Sequence, residues 1–511
     1  MKNTFIRAII LVLSVCVLLC ACSDATPVPS TTDEPTTATT VPAATTVTTT
    51  ATTAATTSAP DPTEPPIDSD FLAGFGRVDI SPEDSVPLRG YGNTSKRMST
   101  YIQDPLYATC IALEDGTGNT VLLFALDLTS SEDRTITSAR KLISDSTGIP
   151  MDNIMVSCSH NHSSPDIYNT EKQSILQYIQ SLKSWMLEAA RLALEDMSPA
   201  KMHVSSVQVT GLNFVRRYVL ENGTYAGDNY GDFNSAPIAG HESEVDNELQ
   251  LITLERANAK DIILANFQTH PHRAGGSQKT GVTSDLIGPF RDKLEEDLDC
   301  QVAYFTGGSG NVNPTSRISG ETATADYIEH GKRLATYAKV ALKKAIEIET
   351  GNIQTTKTTY VGQVNHSQDH LLEVAKKIQK EWTTTGSYSS CVSMGKPYGI
   401  NSPYHANAIV TKYGMPKTQS FEIYALSVGD IAFVAAPYEM FDSNGKEIKD
   451  GSPFDMTFVM TCANTSQGYI PSALGWKNGG YSVDTTRWAA GTAENLVANY
   501  LTMLNQLYVA E

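Results

Sequence analysis

Clustered positive charge is missing from this chain. Lys and Arg number 38 against 56 Asp and Glu in 511 residues, a formal net charge of −18 at pH 7. No basic block occurs anywhere in it. Phosphate neutralisation needs clustered Lys and Arg, so nucleic acid is excluded as a partner, and charge alone would not hold the chain on anionic lipid. C-x-x-C spacing is also absent, so neither a thiolate zinc site nor a disulfide framework is indicated. No internal repeat is visible. The apolar run Ala8–Leu19 is too short to span a bilayer comfortably.

What is present is ordinary globular usage, 41% hydrophobic with 18% charged residues. The first 66 residues stand apart. They hold two basic and five acidic residues, leaving 36 basic and 51 acidic in 67–511, a net of −15. About 445 residues suffice for one large α/β domain or two to three smaller ones.

Lys2 and Arg7 precede the apolar run, as in a signal peptide. The run ends in Leu19-Cys20-Ala21-Cys22, which resembles a bacterial lipobox and predicts cleavage before a lipidated Cys22. An ordinary secretory signal cut nearby is the other reading; both place the domain outside the cytoplasm. Residues 26–66 are Thr, Ala and Pro with almost nothing large and apolar. Such a segment cannot bury enough surface to offset its ordering entropy. The expected organisation is a signal over 1–21, a disordered tether over 22–69 and one domain over 70–511. The protein would then sit on the extracellular face of the cell membrane, held through lipid at Cys22. Five cysteines remain beyond the tether, Cys110, Cys158, Cys300, Cys391 and Cys462. Most of them read as small core residues.

Within 70–511, short apolar runs alternate with amphipathic stretches. Strands are expected at 120–128, 153–159, 262–269, 301–306, 431–436 and 457–462. Helices are expected near 134–144 and over 171–197, 286–298, 322–348 and 491–507. The pattern predicts an α/β fold, a mixed and largely parallel sheet with flanking helices. The segments 248–255 and 420–427 suggest antiparallel additions.

Each apolar run ends in a polar cluster. Val156–Ser159 leads into His160-Asn161-His162, and Ile262–Gln268 into Thr269-His270-Pro271-His272. Val302–Thr306 leads into Gly307–Pro314, Ile431–Ala436 into Pro437-Tyr438-Glu439, and Phe458–Cys462 into Asn464–Tyr469. Ligands of open α/β sheets bind beyond the carboxyl ends of strands, so five segments would converge on one crevice. Four of the ten histidines form two H-x-H pairs, and in an extended segment i and i+2 face one side. One such pair is well explained by hydrogen bonding at a strand end. Two at equivalent places favour a metal with an open position.

Glu439, after a buried strand and a proline, fits a ligand or a base. Tyr469 taken alone is a core or rim aromatic. Gly307–Gly310, including Gly308 and Ser309, lacks the Lys-Ser/Thr ending of a phosphate loop. A tight turn presenting backbone N–H groups to a substrate oxygen suits it better. Cys158 reads as packing. Arg216 and Arg217 either pair a substrate anion or are a plain surface pair.

These clusters together resemble the catalytic domain of the neutral/alkaline, non-lysosomal ceramidases, over roughly residues 72–500. Ala73–Pro82 (AGFGRVDISP) and Leu88–Gly92 (LRGYG) resemble the family's opening segments. Ser159–Pro165 (SHNHSSP) resembles its first histidine motif, and Thr269–Pro271 its second. Pro437-Tyr438-Glu439 and Gly468-Tyr469 resemble its late segments.

The resemblance implies a zinc-dependent amidase acting on the N-acyl bond of ceramide-like or other small amphipathic N-acyl substrates, with one Zn2+ per chain. Its ligands would be His160, His270, Glu439 and Tyr469, with Tyr469 alternatively holding the oxyanion. His162 would donate or accept a proton. The metal would polarise the carbonyl and lower the pKa of a bound water. Two departures accompany it. The family's acidic and serine positions are Asn311 and Asn313 here; Asn313 cannot be a nucleophile but can donate to an oxyanion. Only 42 residues follow Tyr469, so no C-terminal immunoglobulin-like domain is expected. The two asparagines also motivate a different class, a cell-surface binding protein on a retired enzyme fold.

Overall fold

The computed structural model describes residues 67, 69–91 and 97–509. The signal, Cys22 and nearly all of the proposed tether lie outside the described residues. Its main sheet contains β1 (Leu72–Asp79), β2 (Tyr107–Glu114), β3 (Thr120–Leu126), β4 (Ile154–Cys158), β5 (Ser198–Gln208), β6 (Glu248–Arg256), β7 (Ile262–Phe267), β8 (Gln301–Thr306) and the short β9 (Ile346–Ile348). They run in the order β8-β7-β6-β5-β1-β2-β3-β4, with β9 pairing β5. A second sheet runs in the order β10 (Ile353–Gln363), β11 (Thr418–Val428), β12 (Ile431–Ala435), β13 (Met456–Met460).

Side-chain alternation shows how the sheets stack. On β1, Ala73 and Phe75 enter one core; on β3, Val121, Leu123 and Ala125 do the same. Tyr424, Leu426 and Val428 of β11, Phe433 of β12 and Phe458 of β13 fill that same core from the other side. The two sheets therefore pack face to face, each burying its inner residues at period two. Helices cover the outer faces. α1 (Asp133–Thr147) and α2 (Gln173–Glu195) cover Leu122, Phe124 and Leu126 of β3. α3 (Ile287–Leu298) and α4 (Tyr327–Leu342) cover β7 and β8. The C-terminal helix Thr492–Val509 covers the outside of the second sheet. Among the described residues, no helix is long and apolar enough to cross a membrane.

The expected mixed α/β architecture with flanking helices is present. Its balance differs from the expected one, because within the two large sheets of the described residues the parallel pairs are β3–β4, β7–β8 and β12–β13, and the rest are antiparallel. Strands buried on both faces read as continuous apolar runs, the usual mark of a parallel sheet. Here a second sheet rather than a second helical layer covers one face. The helix expected over 322–348 starts later, at Tyr327, with Asp326 capping Glu329 N, and ends at Leu342 ahead of β9. A helical excursion between β10 and β11, formed by Leu372–Thr385, Tyr388–Gly395 and Pro403–Tyr413, was not expected. All five cysteines are buried and unpaired.

The opening motif has a packing reason. Gly74 and Gly76 point away from the inter-sheet core at α2, where an added Cβ would lie 1.9 Å from Ala193 O and 2.0 Å from Ala189 O respectively. Only hydrogen fits between strand and helix. We expect Gly76→Ala to displace α2 and cost about 3 kcal/mol, the upper range for overpacking; a lowered urea midpoint would show it.

Candidate metal centre

The segments that follow β4 and β7 each bring a histidine to the same point. His160 leaves β4 in the left-handed region, φ 64°, its N–H donating to Leu128 O at 2.9 Å. That turn, rather than strand alternation, aims its ring, so the i, i+2 expectation holds for proximity and not for cause. The His160 and His162 ring centroids are 5.1 Å apart. His160 Nδ1 donates to Thr129 O at 2.6 Å, and His270 Nδ1 to Val312 O at 3.0 Å. A ring nitrogen held by a carbonyl leaves the other, Nε2, as the lone-pair atom. One ligand atom each from His160, His162 and His270 lies within 4.8 Å of the others.

Glu439 arrives from the second sheet. The bridge pair Glu439–Met440 and Tyr469–Ile470 is parallel, with Glu439 opposite Tyr469. Glu439 Oε2 lies 3.3 Å from His160 Nε2 and 3.7 Å from His270 Nε2. His270 Nε2, Glu439 Oε2 and His162 Nδ1 are buried without a hydrogen-bond partner. Buried polar atoms are rarely left so. Lone-pair atoms converging on one spot are the arrangement a divalent cation satisfies, and the mixed imidazole–carboxylate set suits zinc.

Charge follows the same logic. Burial, then Arg216, pushes His270 down to about 3. Burial, then the neighbouring imidazoles, pushes His162 well below the usual range. Both are neutral at pH 7, the state a ligand needs. Burial alone would raise Glu439, but His160 and His270 hold it well below the ordinary carboxylate range. Burial lowers His160, and Cys462 and Glu439 more than offset this, so it ends well above the usual imidazole value. Without a cation His160 thus holds a proton against Glu439, and a bound cation would take that proton's place. Burial, then Glu439, raises the Tyr469 phenol, whose oxygen accepts from Arg216 Nη2 at 3.1 Å.

Other expected site residues are placed differently. Arg216 and Arg217 are both buried, so they are no surface pair. Arg216 faces the cluster, also donating to Gly310 O at 2.8 Å. Arg217 is committed elsewhere, to Glu242 at 2.5 and 2.9 Å and to Gly479 O at 2.6 Å; it ties loops together. Gly308 and Ser309 sit in a turn whose flanking N–H groups are already engaged. The turn's N–H groups at Gly307 and Gly310 donate to Phe267 O and Met440 O, and a Cβ on Gly308 would lie 3.1 Å from Phe441 O. Its glycines allow close packing on the segment carrying Glu439. Asn313 is braced at both polar ends. Its Oδ1 accepts from His272 Nε2 at 2.9 Å and its Nδ2 donates to Asp228 at 3.1 Å.

Gly90, with φ 118°, lies so close to His162 that a Cβ there would fall 2.4 Å from the His162 Cβ. His272, given no separate role in the sequence reading, and Asp228, absent from it, belong to the polar surround of the site. The second H-x-H pair was a signal for His272; nothing in the sequence marked Asp228.

Asn311 and Asp442 exchange two bonds, Asn311 Nδ2 to Asp442 Oδ1 at 2.7 Å and Asp442 N to Asn311 Oδ1 at 2.9 Å. A carboxylate at 311 would oppose Asp442. Burial raises Asp442 to about 6, against about 3.9 unfolded. Its folded form holds the proton more tightly, so this group stabilises fully below about pH 4 and that contribution is lost as pH rises through about 6. Relative to the parent, Asp442→Asn should therefore gain about 2 kcal/mol of stability between pH 4 and 7. Parallel urea titrations at both pH values measure this difference, which excludes the constant cost of the altered hydrogen bonds.

With the geometry established, comparison with known proteins places the fold. No known family profile and no curated protein sequence matches this chain. Solved structures do. The neutral ceramidase from Pseudomonas aeruginosa superposes with a TM-score of 0.66 at 15% identity, covering 86% of this chain and 75% of that one. A ceramidase complexed with C2 gives 0.65 at 16% identity, covering 87% and 76%. The chain has a ceramidase-like fold. Within that ceramidase-like frame the His160–His270–Glu439 cluster lies where both sheets end.

Proposed function

We propose that this protein is a zinc-dependent hydrolase cleaving the amide bond of ceramide-like or other N-acyl substrates, tethered outside the cell through lipid on Cys22. The carrying observation is the convergence of His160 Nε2, His270 Nε2 and Glu439 Oε2, with both imidazoles held at Nδ1 by backbone carbonyls. The ceramidase-like fold supports the choice of an amide bond.

His160, His270, Glu439 and Tyr469 would hold the ion. When bound, zinc supplies Lewis acidity towards the substrate carbonyl and acidifies water. The chain's own groups supply the rest. His162, neutral and with Nδ1 unpartnered, can take a proton at that atom and return it to the departing amine. Arg216, donating to Tyr469, stabilises negative charge that builds beside the phenol. Asn313, with both polar ends engaged, leaves no side chain for a serine-type nucleophile at its position. That same observation favours the second reading, a binding protein without turnover.

Metal analysis of the purified protein, coupled to an amine-release screen over N-acyl substrates, tests both. Zinc near one per chain with zinc-dependent amine release is expected. A metal-free protein with no turnover on the panel sinks the hydrolase reading, and any zinc-dependent release sinks the binding-protein reading.

A further inference from the structure

Two polar arms of the site end on one carboxylate that no motif contains. In the first arm, Asn313 Nδ2 donates to Asp228 Oδ2 at 3.1 Å while Asn313 Oδ1 faces His272 Nε2 at 2.9 Å. In the second, Arg216 Nη1 lies 3.9 Å from the same Asp228 oxygen, and Arg216 Nη2 donates to Tyr469 Oη at 3.1 Å. Arg317 approaches the other Asp228 oxygen at 3.8 Å. The carboxylate is carried on a tight loop, where Gly227 bridges Tyr230 and Asn229 adopts φ 59°.

Donor and acceptor chemistry fixes the sense of both arms. An ionised carboxylate only accepts, so the Asn313 amide must turn its NH2 towards Asp228 and its oxygen towards His272. His272 must then donate from Nε2, which selects one tautomer. Its ring centroid stands 5.4 Å from His162 and 5.6 Å from His270, so its orientation bears on both. A serine at 313 would offer one polar atom where two are used. Arg216, buried against Tyr469, needs a nearby negative charge to offset its desolvation, and Asp228 supplies one.

We propose that Asp228 is a positioning residue for this site, holding Arg216 against Tyr469 and, through Asn313, holding His272 in a single tautomer. Asp228 acts only through these neighbours. The Arg216 arm rests on the zinc reading above; the His272 arm does not.

The test uses the full chain with 15N-labelled histidine, as parent, Asp228→Asn and Asp228→Ala. Zinc affinity is read by chelator competition, and the His272 tautomer by nitrogen chemical shifts. Asp228→Asn keeps an oxygen for Asn313 but removes the charge. It should weaken zinc about 10-fold while preserving the His272 signature, as outer partners of metal sites do. Asp228→Ala should weaken zinc about 10- to 100-fold and give mixed His272 tautomers. Zinc affinity within twofold of the parent, together with an unchanged His272 signature in Asp228→Ala, overturns the proposal. Should Asp228→Ala lose its cooperative melt, Asp228→Asn decides, and unchanged zinc affinity in it overturns the proposal. A parent that binds no zinc defeats the hydrolase reading alone; the His272 signature in Asp228→Ala then decides for Asp228.

Discussion

Replacing His160 or His270 by alanine should remove the zinc and the activity together. Each imidazole has its Nδ1 occupied by a backbone carbonyl, so neither can turn its other face to the cluster and compensate. Loss of one histidine leaves one imidazole with Glu439 and Tyr469, a set with a single nitrogen donor that no longer completes the four-ligand shell. Zinc chemistry is worth several kcal/mol of transition-state stabilisation, and at 1.36 kcal/mol per decade its loss should cost on the order of 10³-fold in rate. Elemental analysis of the variants beside the parent, with amine release on the best substrate, measures both. A His160→Ala protein retaining a full zinc equivalent and parental turnover would falsify the ligand assignment.

His162→Ala should separate what those variants remove jointly. His162 is neutral, partly exposed, and unpartnered at Nδ1. If its work is proton transfer, zinc content should stay near that of the parent while turnover falls about 10²- to 10⁴-fold, the usual value of a general acid–base group. Zinc loss to the extent seen in His270→Ala would instead make His162 a ligand. Arg97 donates to His162 O at 2.9 Å and to Ser163 Oγ at 2.8 Å, and His162 N–H donates to Pro271 O at 3.1 Å. The loop is therefore held by groups other than the ring that is removed, so a loss of turnover can be read as chemistry and not as collapse of the segment.

Much of this site was legible because strand ends carry their own signal. The polar clusters after Ser159, Gln268, Thr306, Ala436 and Cys462 were expected to meet, and the structure brings His160, His162, His270 and Glu439 together. Tyr469 lay in the fifth cluster, but its role as a ligand came from resemblance alone, since a lone tyrosine after a glycine carries no chemical mark. Its place is set by a two-residue parallel pairing with Glu439, too short to leave any periodicity. Arg217, Gly308, Ser309 and Asn313 share one ambiguity. A polar or flexible residue near a site can face the substrate or brace the backbone behind it, and only the partners of its donors and acceptors tell which. Asp228 had no signal at all, being one acidic residue in a loop of an acidic protein.

The stacking of the two sheets shows the same boundary between local and long-range information. Alternation and apolar runs are local properties, so strands, helices and a mixed α/β class could be read from the chain itself. Whether the second face of a buried strand meets a helix or another sheet depends on residues hundreds of positions away. Phe75 and Phe433 share one core without either sequence neighbourhood naming the other. Local pattern specified the elements, and composition the acidic balance and the histidines able to hold a metal. Tertiary structure alone decided which side chains have a nitrogen or oxygen left over, because that depends on every neighbour that has already taken one.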